Sequence, residues 1–179
     1  IAYQGKYGTD ILEDTCGIGA REAHDEVVQL ASLLKAPVAY SFKSKMEVQY
    51  DNPFEIGMTG LLGLPSAYGS MHESDLLILL GTDFPYDSFL PQECRIAQVD
   101  IRPERIGRRA RVELGLAGDV KDTLQALLPM LKEHTDRSFL DRQLKIYREL
   151  CDGMVAVASK PGSVGNLAPE YVATLIDRL

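Results

Sequence analysis

The sequence predicts an α/β protein in which a parallel sheet lies between two layers of helices. Two observations carry that expectation. Short apolar runs alternate along the chain with amphipathic stretches. The strongest run, Leu76-Leu77-Ile78-Leu79-Leu80, is apolar at every position, as a strand covered on both faces requires, and Gly81 stops it. This run is expected at the centre of the sheet.

The other elements follow in order. Residues 10–16 form the first expected strand, although Glu13 and Asp14 put two carboxylates where an apolar run is more comfortable. Residues 22–34 place Ala23, Val27, Leu30, Ala31 and Leu34 on one helical face. Residues 37–42 read as a strand, and Pro65-Ser66 opens a helix reaching about Glu73. Residues 95–101 and Leu114–Ala117 are further strands. Over residues 120–132, Leu124, Leu127, Leu128 and Leu131 form a helical stripe behind Asp119, whose carboxylate is placed to cap the exposed N–H groups. Residues 136–150 are helical, and the Gly/Ser/Pro-rich stretch 159–166 then breaks the pattern as a linker does.

Composition narrows the function. With 179 residues, 45% hydrophobic and 25% charged, the chain can bury a core and is neither disordered nor fibrous. A net charge of −7 repels nucleic acid and anionic membrane, so an anionic ligand must be held locally. The three cysteines, Cys16, Cys94 and Cys151, lie far apart without a paired motif, which favours a reducing compartment, the cytoplasm. No apolar run approaches the roughly 20 residues of a membrane span. The opening residues lack the features of a signal peptide, and a chain opening on Ile1 is expected to be part of something larger.

In an open α/β sheet, ligands bind at the carboxyl ends of the strands, where strand order reverses. Gly17-Ile18-Gly19-Ala20-Arg21 sits at such a turn, where glycines let backbone approach a diphosphate and a helix start attracts its charge; an ordinary glycine turn reads the same. Glu22 replaces the last glycine of G-x-G-x-x-G. An NAD site further requires a carboxylate about 20 residues on, but the chain offers Ser41-Phe42-Lys43-Ser44-Lys45, which suits a phosphate or is simply solvated. Residues 57–63 carry three glycines, as a backbone nest or a hinge would. Gly81-Thr82-Asp83-Phe84-Pro85-Tyr86 combines polar groups, an aromatic wall and a proline, which suits a flat ring. Asp100, Gly118 and Asp119 end strands where they can meet ribose hydroxyls or adenine, with capping the competing role for Asp119. Arg102, Arg105, Arg108, Arg109 and Arg111 form a basic patch that could reach a cofactor phosphate but reads first as solvated or paired in subunit salt bridges, leaving Arg21 as the arginine chosen for the ligand. His24, His72 and His134 have no metal spacing, so neither a metal site nor a catalytic residue is expected.

Taken in order, GIGAR, SFKSK, YDNPFEIGMTGLLG, LLGTDFPY, QVDIRPERIG and LAGDVKDTL resemble the central domain of thiamine-diphosphate-dependent enzymes of the pyruvate oxidase and pyruvate:quinone dehydrogenase group, relatives of acetolactate synthase. The resemblance covers roughly residues 17–150; the acidic Glu13-Asp14 departs from the apolar family pattern. It implies a Rossmann-like three-layer α/β/α domain with a six-stranded parallel sheet, holding FAD. Gly17, Gly19, Ala20, Arg21, Asp100, Gly118 and Asp119 would meet phosphates and adenosine. Thr59, Gly60, Leu61 and Leu62 would line the middle of the cofactor, and Thr82, Asp83, Phe84, Pro85 and Tyr86 would approach the flavin.

The resemblance further implies residues 1–150 as the central domain, 151–167 as an interdomain linker and 168–179 as the opening helix of a thiamine-diphosphate-binding domain. Thiamine diphosphate and Mg2+ would sit in flanking domains of a homotetramer, with pyruvate as substrate and oxygen or a membrane quinone as electron acceptor. This stretch alone is then expected to catalyse nothing. Two alternatives stand beside it: an acetolactate synthase-like enzyme whose FAD is architectural, and a flavin-free scaffold or holder of an ADP-containing ligand, as in oxalyl-CoA decarboxylase relatives.

Overall fold

The computed structural model describes residues 12–163 and 166–178. Residues 10 and 11 of the expected first strand, and the side chains of Glu13 and Asp14, lie outside the described part. The chain forms two compact units, Ile1–Leu144 and Lys145–Leu179.

The first unit contains strands β1 (Leu12–Cys16), β2 (Val38–Tyr40), β3 (Glu55–Met58), β4 (Leu76–Leu80), β5 (Arg95–Asp100) and β6 (Leu114–Ala117). They form one sheet in the order β3-β2-β1-β4-β5-β6, with every pairing parallel. The chain runs outward from β1 to β3, then returns to the other side of β1 at β4. The loops after β1 and β4 therefore flank the point of reversal, where such sheets bind ligands. Helices α1 (His24–Leu34), α2 (Lys45–Val48), α3 (Pro65–Glu73) and α4 (Val120–Leu127), with the start of α5 (Ser138–Ala158), complete this unit.

The expected α/β architecture is met. Alternation along β4 sends Leu80 and Ile78 to one face, with Ala23, Val27, Leu30 and Ala31 of α1, Val120 and Leu124 of α4 and Leu140 of α5. Leu77 and Leu79 face the other way, against Met71 of α3, Ile96, Phe84 and Leu90. Helices thus cover both faces, as an all-parallel sheet demands.

Several bounds differ from expectation for local reasons. Strand β3 runs into the start of the stretch read as a glycine loop: Gly57 takes a φ of 98° where the register with β2 shifts, and Ile56 is buried. Helix α1 begins at His24 because residues 18–20 close a 3-10 turn first. Helix α4 ends at Leu127, and residues 128–130 tighten into a 3-10 turn around Pro129, which has no N–H to continue the helix. Helix α5 continues through Ala158, into the stretch 151–167 expected as the interdomain linker. In the second unit it is followed by the antiparallel pair β7 (Gly162–Ser163) and β8 (Asn166–Leu167) and by α6 (Pro169–Asp177).

Helix α1 terminates at Lys35 in the left-handed conformation, with φ 53°. Its ammonium donates to the Ser32 carbonyl at 2.7 Å and to Glu133 Oε1 at 2.6 Å. That hydrogen bond, and then the Lys35 charge, hold the Glu133 carboxyl below its ordinary value of 4.5. A lowered folded value means that the tie contributes fully above 4.5 and is lost as pH falls through the lower folded value. Thermal melts between neutral and acidic pH should therefore show an acid-side loss that is smaller in Glu133→Gln, and an NMR titration of Glu133 should show the lowered midpoint directly.

Candidate functional site

A crevice of about 520 Å3 opens among the loops that leave the strands at their carboxyl ends. Ile18 enters it from the loop after β1, Ser41, Phe42 and Lys43 from that after β2, and Met58, Thr59, Leu61 and Leu62 from β3 and its loop. The β4 loop contributes Gly81 through Tyr86, and the loop after β5 contributes Arg105 and Arg109.

The register of the sheet sets the floor. Cys16 stands opposite Leu80, which brings Gly17 beside Gly81. Gly17 N–H donates to the Leu80 carbonyl at 2.8 Å and Gly19 N–H to that of Gly81 at 3.1 Å. A Cβ on Gly17 would lie 2.5 Å from Gly81 O, and one on Gly19 2.8 Å from Gly81 Cα. The glycines of this turn are thus required for two loops to touch. The Ala20 amide is also engaged, donating to the Gly17 carbonyl at 2.9 Å.

The walls are aromatic and apolar. Phe84 is buried, and its ring meets Tyr86 edge-on with centroids 5.6 Å apart. Gly60, at φ 109°, passes against the Tyr86 ring, where a Cβ would come within 3.2 Å of Cε2. This leaves Leu61 and Leu62 70% and 72% exposed at the rim, with Phe42 71% exposed. Thr59 is buried, its hydroxyl 3.8 Å from Met71 Sδ and its amide donating to the Tyr40 carbonyl.

Polar groups tie the walls together. Arg108 donates to both oxygens of Asp83, and Arg109 Nε lies 3.5 Å from Asp83 Oδ1. The buried Gln98 of β5 donates from Nε2 to the Thr82 carbonyl at 3.2 Å and accepts from Gly107 N–H at 2.9 Å. Its Nε2 also lies 3.4 Å from the Arg105 carbonyl. The loops after β4 and β5 are therefore held by one side chain from beneath.

Of the residues expected at the site, Thr59, Leu61, Leu62 and residues 82–86 line this crevice together, with Gly60 beneath the Tyr86 ring. Gly17, Gly19 and Ala20 pack beneath the loops rather than among the lining residues. Arg21 has a side chain 58% exposed and lies 3.5 Å from Glu22. Asp119 caps α4, accepting from Asp122 N–H at 3.2 Å, and Gly118 N–H donates to the Asp100 carbonyl. Asp100 is buried: one carboxylate oxygen accepts from Arg102 N–H at 2.9 Å, and the other has no hydrogen-bond partner among the described residues. Sequence reasoning did not choose Ile18, Ser41, Phe42, Lys43, Met58, Arg105 or Arg109. The signal for Ser41, Phe42 and Lys43 was their position after a strand, and that for the arginines was the basic patch itself. Among the described residues no cluster of His, Cys, Asp or Glu is fit to hold a metal ion, and no helix is long and apolar enough to cross a membrane.

Residues 15–127 match the family described as thiamine pyrophosphate enzyme, central domain. The chain belongs to that family. The thiamine pyrophosphate enzyme central domain is 53% identical over 139 residues to an uncharacterized 42.6 kDa protein in the isoamylase 3' region of Pseudomonas amyloderamosa, covering 78% of this chain and 35% of that protein. It is 36% identical over 125 residues to the putative thiamine pyrophosphate-containing protein YdaP of Bacillus subtilis, covering 70% of this chain and 22% of that one. It is also 30% identical over 163 residues to an acetolactate synthase of Mycobacterium bovis, covering 87% and 26%. This central domain therefore spans between about a fifth and about a third of the length of these relatives.

Proposed function

We propose that the chain is the FAD-binding central domain of a thiamine-diphosphate-dependent enzyme that oxidatively decarboxylates pyruvate. The observation that carries this reading is the crevice itself. Its volume of about 520 Å3 falls within the range of ligand sites, roughly 300–1,000 Å3. Its walls are flat rings and branched apolar side chains, with polar groups confined to a few places, the composition that suits a flavin ring and its chain. Outside the crevice lining, the buried Asp100 oxygen that has no partner among the described residues wants a donor, which a ribose hydroxyl or an adenine amino group could be.

In this reading Phe84 and Tyr86 set the slot for the ring, and Gly60 keeps the backbone close enough to confine it. Phe42, Leu61 and Leu62, costly to leave in water, exclude solvent once covered. Asp100, with Gly118 and Asp119 beside it, serves the adenosine end. The turn from Gly17 to Arg21 supports the loops from below. FAD bound here supplies reversible two-electron uptake, while the protein supplies position and electrostatics. Thiamine diphosphate with Mg2+ is assigned to other domains of a homotetrameric enzyme, as are the pyruvate site and the contact with oxygen or a membrane quinone. Residues 1–150 form the central domain, 151–167 the linker and 168–179 the start of the next domain. The cytoplasm is the proposed compartment.

An absorbance spectrum of the whole enzyme tests the proposal. A flavin band that bleaches when pyruvate is added is expected; a colourless protein that stays so after incubation with FAD defeats it. The acetolactate synthase relatives favour a second reading, in which FAD is architectural. Under that reading the flavin stays oxidised and the product is acetolactate rather than acetate or acetyl phosphate.

A further inference from the structure

We infer that His72, on the exposed side of α3, is a positioning residue for the crevice: through Phe89 it holds Tyr86, one of the aromatic walls, in place. The inference rests on the reading above that this wall faces a flat ring, and it gives a part to a residue that does not itself line the crevice.

Tyr86 stands on a loop that takes its support from outside. Phe84 and Leu90 are buried and anchor its two ends, but residues 85–88 between them are exposed. The hydrogen bonds of that stretch run within it. Phe89 N–H donates to the Tyr86 carbonyl at 2.9 Å, Leu90 N–H to that of Asp87 at 3.1 Å, and Ser88 N–H to Asp87 Oδ1 at 2.9 Å. These bonds shape a turn without fastening it to the body of the domain. Rings do the fastening. Tyr86 meets Phe89 with centroids 5.7 Å apart, and Phe89 meets Tyr68 of α3 edge-on at 5.7 Å. The Tyr68 ring lies 4.5 Å from that of His72, one helical turn further along. His72 Nε2 is in turn 3.1 Å from the Phe89 carbonyl. A carbonyl only accepts, so Nε2 is the nitrogen that carries the proton in this contact.

Helix α3 is the fixed member of the pair. Ser70 and Met71 beside His72 are fully buried, and Ser74 Oγ donates to the Met71 carbonyl at 2.9 Å. Glu73 accepts from Arg142 at 2.8 Å and from the buried Gln143 at 3.0 Å, which ties the last turn of α3 to the start of α5. A change at His72 is therefore taken up by the loop. It moves Phe89 and, with it, the Tyr86 ring, against which Gly60 packs from the loop after β3. The slot between the two loops widens or narrows accordingly.

The test uses the whole protein with a fluorinated tyrosine at position 86, read by fluorine NMR without ligand, and the unlabelled protein titrated with FAD in parallel. His72→Phe keeps a ring against Tyr68 but has no donor, whereas the Nε2 amide of His72→Gln has the reach of the imidazole Nε2 and still donates. His72→Phe should shift the Tyr86 signal and weaken FAD binding about two- to tenfold, and His72→Gln should restore both. His134→Gln, at a ring that meets only its own Asp136 carbonyl among the described hydrogen bonds, should change neither. Melting curves of each variant keep misfolding from being mistaken for a displaced wall. A Tyr86 signal unmoved in His72→Phe overturns the inference, as does an FAD affinity that stays the same or falls equally in His72→Phe and His72→Gln. A protein that takes no FAD defeats the flavin reading, and the fluorine signal alone then decides whether His72 places Tyr86.

Discussion

Gly81→Ala should destabilise the protein by about 2–5 kcal/mol, because two penalties fall on one methyl group. Gly81 sits at φ 61°, the left-handed region, where a Cβ costs about 1–2 kcal/mol by itself. The same Cβ would lie 2.5 Å from Gly19 Cα, which is backbone and cannot rotate away. Overpacking adds about 1–3 kcal/mol. A melting temperature lowered on the order of 10 °C is the expected reading, and affinity for any crevice ligand should fall with it, since the floor between the β1 and β4 loops is pried open. Gly69→Ala is the control: nothing lies within 4 Å of its would-be Cβ in α3, and the change should leave stability equal or raise it slightly. Equal melting temperatures for the two variants would refute the account of the floor.

The second large effect belongs to Leu80. It is fully buried at the end of β4, between Cys16 of β1 and Val99 of β5, on the face covered by α1 and α4. Leu80→Ala removes that packing where neighbours on both sides are fixed by the ladder, so the void cannot collapse. A loss of about 2–5 kcal/mol in denaturant unfolding is expected. Leu116→Ala, on the edge strand β6 with a side chain partly in water, should cost far less.

The contrast between these two leucines shows what was legible in the sequence. Strand β4 and helix α3 coincide with expectation because each carries an unambiguous signal: five apolar residues in a row ended by glycine, and a proline at a helix start. Strand β3 has no such signal. With four residues, a charged Glu55 and a glycine at positive φ, its pairing comes from β2 beside it, not from its own propensity. The strand-end loops were legible because topology alone makes them the binding edge of an open sheet. The arginines were not, because the Arg108–Asp83 pair joins residues 25 apart in sequence, and only folding shows which cations of a basic patch turn inward. The glycines of the first turn were noticed for a sound reason, freedom of backbone approach. In the fold the β4 loop lies against them, a contact that no spacing in the sequence announces.

Gln98 turns the width of the cleft into a matter of side-chain reach. Its amide spans from the β4 loop to the β5 loop, giving hydrogens to carbonyls and taking one from Gly107. Asparagine, one methylene shorter, would have to draw the two lips inward or let go of one; glutamate could still accept from Gly107 but would have nothing to give. The gauge of the opening is thus set at a position no ligand need ever touch.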